Sequence, residues 1–233
     1  MRCIFLFVSY VHIDMNKSTN LLVYKIGNPL SFLSNTPTKA VYKKLVKTAI
    51  KVHWFNKFKS QICSLKSLRY FKFEFLGFHV HPIFSTCSAS PYETEKATVQ
   101  ARLLSGRYYL ERVTRFWTDN EEGLCSLPLC QSPENRHLGD IESFLSSCPS
   151  LQSVRDDYSS FLKSFLNCHP HLTELVNHCI TNCPEQFYLD CSTIPEVIIA
   201  KNSLGTIILS QLFKLTRHYC FILHKERQNL LKI

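Results

Sequence analysis

The most regular pattern of apolar positions lies at the end of the chain. Leu204, Ile207, Ile208, Leu212, Leu215, Tyr219 and Ile222 recur at three- and four-residue steps. That spacing predicts one long helix over residues 204–230, with its apolar stripe turned to a core. Residues 151–166 are amphipathic and 170–180 read as a further helix, while 141–147 supply one or two turns that stop before Pro149. Residues 90–105 carry helix punctuation: Ser90 at the N-cap, Pro91 at the first position, Glu93 to complete a capping box, and Gly106 as terminator. A short helix is expected over 108–117, then an acidic loop over 118–123. In 39–52, Val41, Leu45, Val46 and Ile50 keep helical spacing, with Lys43, Lys44, Lys47 and Lys51 mostly on other faces. Residues 54–84 alternate aromatic and basic side chains, which fits either a half-buried strand or a platform where bases stack between cations. Residues 1–38 pattern poorly. Leu21, Leu22, Val23 and Tyr24 suggest a short strand, and Pro37 sits in a loop or linker. No repeat of solenoid period is present.

Composition narrows the class. With 233 residues, 45% hydrophobic and 19% charged, the chain can build a core, and wholesale disorder is excluded. The net charge of +9 is placed unevenly, with 13 basic against 2 acidic residues before position 76 and near balance after it. The excess concentrates between Lys39 and Lys72. A basic, aromatic-rich stretch is either a nucleic-acid footprint or a solvated face. Apolar Met1 to Ile13 is too short to span a bilayer and has no clear small-x-small cleavage site, so the expectation is no membrane and an intracellular protein, in cytoplasm or nucleus, rather than a secreted one.

Eleven cysteines, an odd number in a chain of this size, do not read as a disulfide framework. Cys125 and Cys130 form a C-x4-C pair, followed by His137 and then Cys148-Pro149. Two cysteines on a tight turn are a common first half of a zinc site. His137 to Cys148 is too long a spacing for ligands on one helical turn, so zinc ligation and buried thiols both stand as readings. Cys168, His169, His171, His178, Cys179 and Cys183 make a second cluster without a matching first pair. Catalytic motifs are missing: no Gly-x-Ser-x-Gly elbow, no Gly-rich phosphate loop, and Asp156-Asp157 falls in an amphipathic helix.

Several strings, in one order, resemble a known pattern. They include Ser67-Leu68-Arg69-Tyr70-Phe71, His81-Pro82-Ile83-Phe84, and Lys96-Ala97-Thr98-Val99-Gln100-Ala101-Arg102-Leu103-Leu104-Ser105-Gly106-Arg107-Tyr108. Arg115-Phe116-Trp117, Cys148-Pro149-Ser150-Leu151, Ile194-Pro195-Glu196-Val197-Ile198 and His224-Lys225-Glu226-Arg227 continue the series. On these the chain resembles the C-terminal region, downstream of the polymerase domain, of reverse transcriptases from non-LTR (LINE-like) retrotransposons. The resemblance runs from about residue 39 or 54 to the end. It implies a tail that helps hold RNA or DNA, and no catalysis, because the Tyr-x-Asp-Asp polymerase motif and the endonuclease are absent. It also implies a cysteine knuckle of the form C-x4-C, then Glu-His, then x4-Cys-Pro. Cys125, Cys130 and Cys148 fall on three ligand positions, while Ser143, after Glu142, stands where the histidine is expected. His137 substitutes if the loop folds back. The departure at Ser143 suggests a decayed or truncated element copy.

The expected fold is therefore mostly α, a helical bundle with a small cysteine-knuckle-like insertion and an irregular N-terminal arm. Its expected divisions are an unmatched segment 1–38, a basic then helical region 39–124, a degenerate knuckle 125–150 and a C-terminal helical region 151–233. The candidate sites are a zinc centre at Cys125, Cys130, His137 and Cys148, and a nucleic-acid surface. In the latter, Lys43, Lys44, Lys47, Lys51, Lys57 and Lys59 meet phosphate while Trp54, Phe55 and Phe58 stack on bases. The alternative function is a helical structural or protein-interaction domain, docking on the missing polymerase domain or on a second copy.

Overall fold

A computed structural model describes residues 38–65, 68–72, 80–115 and 122–232. The expectations for residues 1–37 and 118–121, including the strand near Leu21, lie outside these. The chain divides between Gln61 and Ile62 into two compact units. Among the described residues it is helical, with no strand and one isolated antiparallel bridge, Leu124 to Leu138. The mostly-α class is as expected. No helix among the described residues is long and apolar enough to cross a membrane.

Helix α1 spans Lys39–Ser64. Thr38 starts it: its Oγ1 accepts from the Val41 N–H at 3.4 Å, and its carbonyl accepts from Tyr42 at 2.9 Å. Residues 54–64 continue this helix, so the strand reading is corrected there. Once the backbone satisfies its own hydrogen bonds every fourth residue, the Phe-Lys alternation takes helical phase.

In the second unit, α2 is Pro82–Ser85, α3 Pro91–Leu104 and α4 Glu111–Thr114; α5 Gln152–Cys168, α6 Thr173–Asn182, α7 Pro184–Asp190, α8 Pro195–Leu204 and α9 Ile207–Leu230 follow. Short 3-10 turns and one π turn, Ser143–Ser147, connect them. Helix α9 is the axis. It packs against α3, α5, α7 and α8, and Ile208, Leu209, Leu212, Phe213, Leu215, Tyr219, Cys220, Phe221 and Leu223 are all buried. A helix apolar around most of its circumference belongs inside a bundle. The predicted single helix over 204–230 is in fact two, α8 and α9. Gly205 at φ 85° breaks it, a conformation that favours glycine.

Polar groups inside the core are bonded across helices. Gln100 Nε2 on α3 donates to Tyr188 O on α7 at 2.7 Å and to Thr216 Oγ1 on α9 at 3.0 Å. Arg217 on α9 donates to Ile83 O at 3.0 Å and Thr86 O at 3.3 Å, closing the C-terminal end of α2. Burial lowers its pKa. Tyr188 stacks on Tyr219 at 3.9 Å between ring centres, and the Tyr219 hydroxyl donates to Leu145 O.

The end of α3 is as the sequence predicts. Gly106 at φ 63° donates to Leu103 O and Arg107 to Arg102 O, a Schellman motif. Its start is not. Ser90 is the N-cap but makes no side-chain cap, and Glu93 accepts instead from Lys96 Nζ at 2.8 Å. The ion pair competes for the carboxylate the capping box needs. Of the helix predicted over 108–117, the described residues hold only α4, because Tyr108 and Leu110 before it are drawn into the core, Leu110 in extended conformation; residues 116–117 lie outside them.

These packings predict a sharp contrast within α9. Leu212→Ala removes a fully buried side chain and is expected to cost about 2–5 kcal/mol in urea unfolding. Ile207→Ala, at a side chain 67% exposed, is expected to change stability by less than about 0.5 kcal/mol.

Candidate metal centre

The knuckle is built on a short antiparallel pairing. Around the bridge between Leu124 and Leu138, Cys125 N–H donates to His137 O at 3.0 Å and Gly139 N–H to Gly123 O at 2.8 Å. The pairing sets Cys125 opposite His137, twelve positions on. Two glycines let this ribbon lie flat on α4. A Cβ at Gly123, which has φ 65°, would sit 2.8 Å from Arg112 Cα, and one at Gly139 would sit 2.8 Å from Glu111 Cβ.

Beyond Cys125 the chain turns back through the 3-10 turn Pro128–Cys130, closed by Cys130 N–H donating to Leu127 O at 3.0 Å. That turn brings Cys130 under Cys125. Cys148 arrives from the π turn, its N–H donating to Ser143 O at 2.8 Å, and its carbonyl is held by Arg155. Ser150 Oγ then accepts from Leu129 N–H at 3.1 Å, tying the two cysteine turns together.

The three thiols converge. Cys130 Sγ is 3.4 Å from Cys148 Sγ, and Cys125 Sγ is 4.0 Å from it. With His137 the four donor atoms all lie within 4.8 Å of one another, so the cluster can hold a metal ion. The sulfur edge of a tetrahedral zinc site, from a zinc–sulfur bond of about 2.3 Å, is about 3.8 Å, between the two observed values. His137 is set up as a ligand. Its Nδ1 lies 2.9 Å from Asn135 O, which can only accept, so Nδ1 carries a proton and Nε2 is the nitrogen that the neutral ring offers to a metal. That Nε2 is buried without a hydrogen-bond partner. The hydrogen bond to Cys148, then burial, pushes the Cys125 thiol well above its usual pKa. Ser143 instead opens the π turn, its N–H donating to Asp140 Oδ1 at 2.9 Å.

One buried carboxylate orders the knuckle from below. Glu111 Oε1 accepts from Ser126 Oγ at 2.5 Å and from Arg227 Nη2, in the last turn of α9, at 2.9 Å. Sequence reasoning missed Glu111, Arg227 and the Gly123/Gly139 pair. No local spacing connects Glu111 to a partner 116 positions away.

The second cysteine and histidine cluster does not assemble. Cys168 is exposed, His178 Nε2 pairs with Glu196 at 3.4 Å and His169 Nδ1 lies 3.3 Å from Gln211 Nε2. The basic candidates all lie on α1. Lys43, Lys47, Lys51, Trp54 and Phe58 follow one helical stripe, flanked by Lys44, Phe55, Lys57 and Lys59. The lysines are exposed and the three aromatic residues half-buried. Lys57 Nζ sits 4.9 Å from the Trp54 ring centre.

No family model, curated protein or solved structure matches the chain.

The tight seat of the ribbon predicts that Gly139→Ala displaces Glu111 and costs roughly 1–3 kcal/mol in thermal unfolding. Leu138→Ala, beside it and exposed, is expected to change stability by less than about 0.5 kcal/mol.

Proposed function

We propose that this chain is a non-catalytic nucleic-acid-holding region of a non-LTR retrotransposon reverse transcriptase, with a structural zinc ion at Cys125, Cys130, His137 and Cys148. The observation that carries the reading is the convergence of those four donors. Three of them fall on the ligand positions that the resemblance implies, and His137 supplies the fourth from the paired ribbon. Bound zinc would act as a cross-link between the ribbon, the turn at Cys130 and the π turn before Cys148. Four protein donors complete a tetrahedron and leave no open coordination position, which favours a structural over a catalytic metal. The ordered series of strings supports the retrotransposon assignment. The stripe of lysines and aromatic residues on α1 supports phosphate contact with base stacking.

A second reading, a helical protein-interaction domain, is favoured by one observation. Ile199, Leu204 and Ile207 are exposed at the elbow between α8 and α9. Light scattering that gives a monodisperse monomer, with no partner retained, counts against it.

Two measurements test the main reading. Mass spectrometry of the protein purified without added chelator is expected to give one zinc per chain, with His137→Ala weakening zinc retention and Cys148→Ser abolishing it. Protein without zinc, and unable to take it up when refolded with zinc salts, contradicts the metal assignment. In anisotropy titrations with labelled single-stranded RNA or DNA, log K is expected to fall linearly with log salt. Replacing Lys43, Lys44, Lys47 and Lys51 by Ala should flatten the slope by about 0.7 for each phosphate no longer neutralised. Absence of binding at low salt overturns the nucleic-acid assignment.

A further inference from the structure

Within the Ile62–Ile233 unit, a second group of cations gathers at the end of α3. The Schellman turn that closes this helix bonds Arg107 N–H to Arg102 O at 2.9 Å, which brings the backbones of the two arginines together at the helix terminus. Both are exposed. Neither side chain has a hydrogen bond or ion pair among the described residues. From α9, His224 reaches the neighbouring Tyr108, its Nδ1 hydrogen-bonded to the Tyr108 hydroxyl at 2.7 Å. Burial first, and then the charges of Lys225, Arg102 and Arg227, hold the His224 pKa below its usual value, while Glu95 opposes them. Glu95 pairs with Lys225 at 2.9 Å, so among the described residues Arg102 and Arg107 are the two cations here with no ion-pair partner.

An aromatic ring completes the group. After Gly106 the chain makes a tight turn, Leu110 N–H donating to Tyr108 O at 2.9 Å, which leaves Tyr108 and Leu110 buried and Tyr109 at its apex 73% exposed. Folding gains little from a tyrosine in that position. Two positions on from Arg107, it adds an open ring for a base to the exposed cations for phosphate, the combination that single strands use.

We propose that Arg102, Arg107 and Tyr109 form a second contact surface for single-stranded nucleic acid, distinct from the lysines of α1. Arg102 and Arg107 each engage a phosphate, and Tyr109 stacks on a base between them. The inference rests on the nucleic-acid reading of the chain, and adds a named surface to it. The buried Tyr108 beneath the patch anchors it to the knuckle, since its ring lies 5.3 Å from that of Phe144 in the π turn before Cys148.

The test uses the full chain and a fluorescein-labelled oligouridine of about 20 nucleotides, longer than the site of one typical single-strand module. Anisotropy is read across a salt series for wild type, for Arg102→Gln/Arg107→Gln and for Tyr109→Ala. All three positions are exposed, and circular dichroism checks that the variants keep their helix content. The arginine variant is expected to lower the slope of log K against log salt by about 1.4, two phosphates at about 0.7 each. Tyr109→Ala is expected to weaken binding on the order of tenfold at fixed salt and leave the slope unchanged. Wild-type binding with neither effect overturns the second surface alone and leaves α1 as the carrier. No salt-dependent binding by the wild type overturns both.

Discussion

The constraint on which the Ile62–Ile233 unit depends is the near-complete burial of α9. From Ile208 to Leu223 this helix has no broad solvent face, so each neighbour must bring it an apolar surface. Its polar side chains must also find partners inside the bundle. Thr216 and Arg217 do so through Gln100, Ile83 and Thr86, which joins α2 and α3 to α9 as hydrogen-bonded members of one core. Leaving such groups unpaired would cost about 1–3 kcal/mol each. The same helix carries order outward. Its last turn holds Arg227 against Glu111, and Glu111 holds Ser126, next to Cys125. A buried ion pair of this kind contributes little net stability, because desolvation offsets its attraction. Its value here is positional, since it fixes the ribbon that presents Cys125 and His137.

The knuckle is assembled by different physics. Leu127, Phe144 and Leu145 tie it to the core, while the geometry of its cysteine and histidine donors comes from backbone pairing, two tight turns and glycine clearance. Three thiols and an imidazole nitrogen brought this close are poor partners for one another. Cys125 and Cys148 share a weak sulfur contact, and His137 Nε2 has none. A divalent ion would satisfy all four at once, and its binding free energy would then be folding free energy for the loop. That is the physical sense in which the candidate centre reads as a staple on an already formed bundle.

How much of this was legible in the sequence depended on whether the signal was local. Gly106 and the spacing inside α9 announced themselves, because a Schellman turn and a helical stripe are written in neighbouring residues. The break at Gly205 was hidden by Leu204 and Ile207, which keep the phase of the stripe although both are exposed. The Phe-Lys alternation after Trp54 looked like a strand because period two and period 3.6 are hard to separate over so few residues. In the knuckle, Cys125 and Cys130 could be nominated from their C-x4-C spacing, and Cys148 from the resemblance. His137 could be nominated but not placed, because its position follows from pairing across the ribbon and not from a helical turn. Glu111 and Arg227 belong to the series of matching positions but had no role to read from it, since their partnership exists only in the folded chain.

Whether His137, and not an oxygen donor, completes the site with Cys125, Cys130 and Cys148 is tested most directly by zinc-edge X-ray absorption on the purified protein. The expected result is a coordination shell of three sulfurs at about 2.3 Å and one imidazole nitrogen at about 2.0 Å, with the nitrogen gone in His137→Ala. A shell of three sulfurs and one oxygen, unchanged by that substitution, would contradict it.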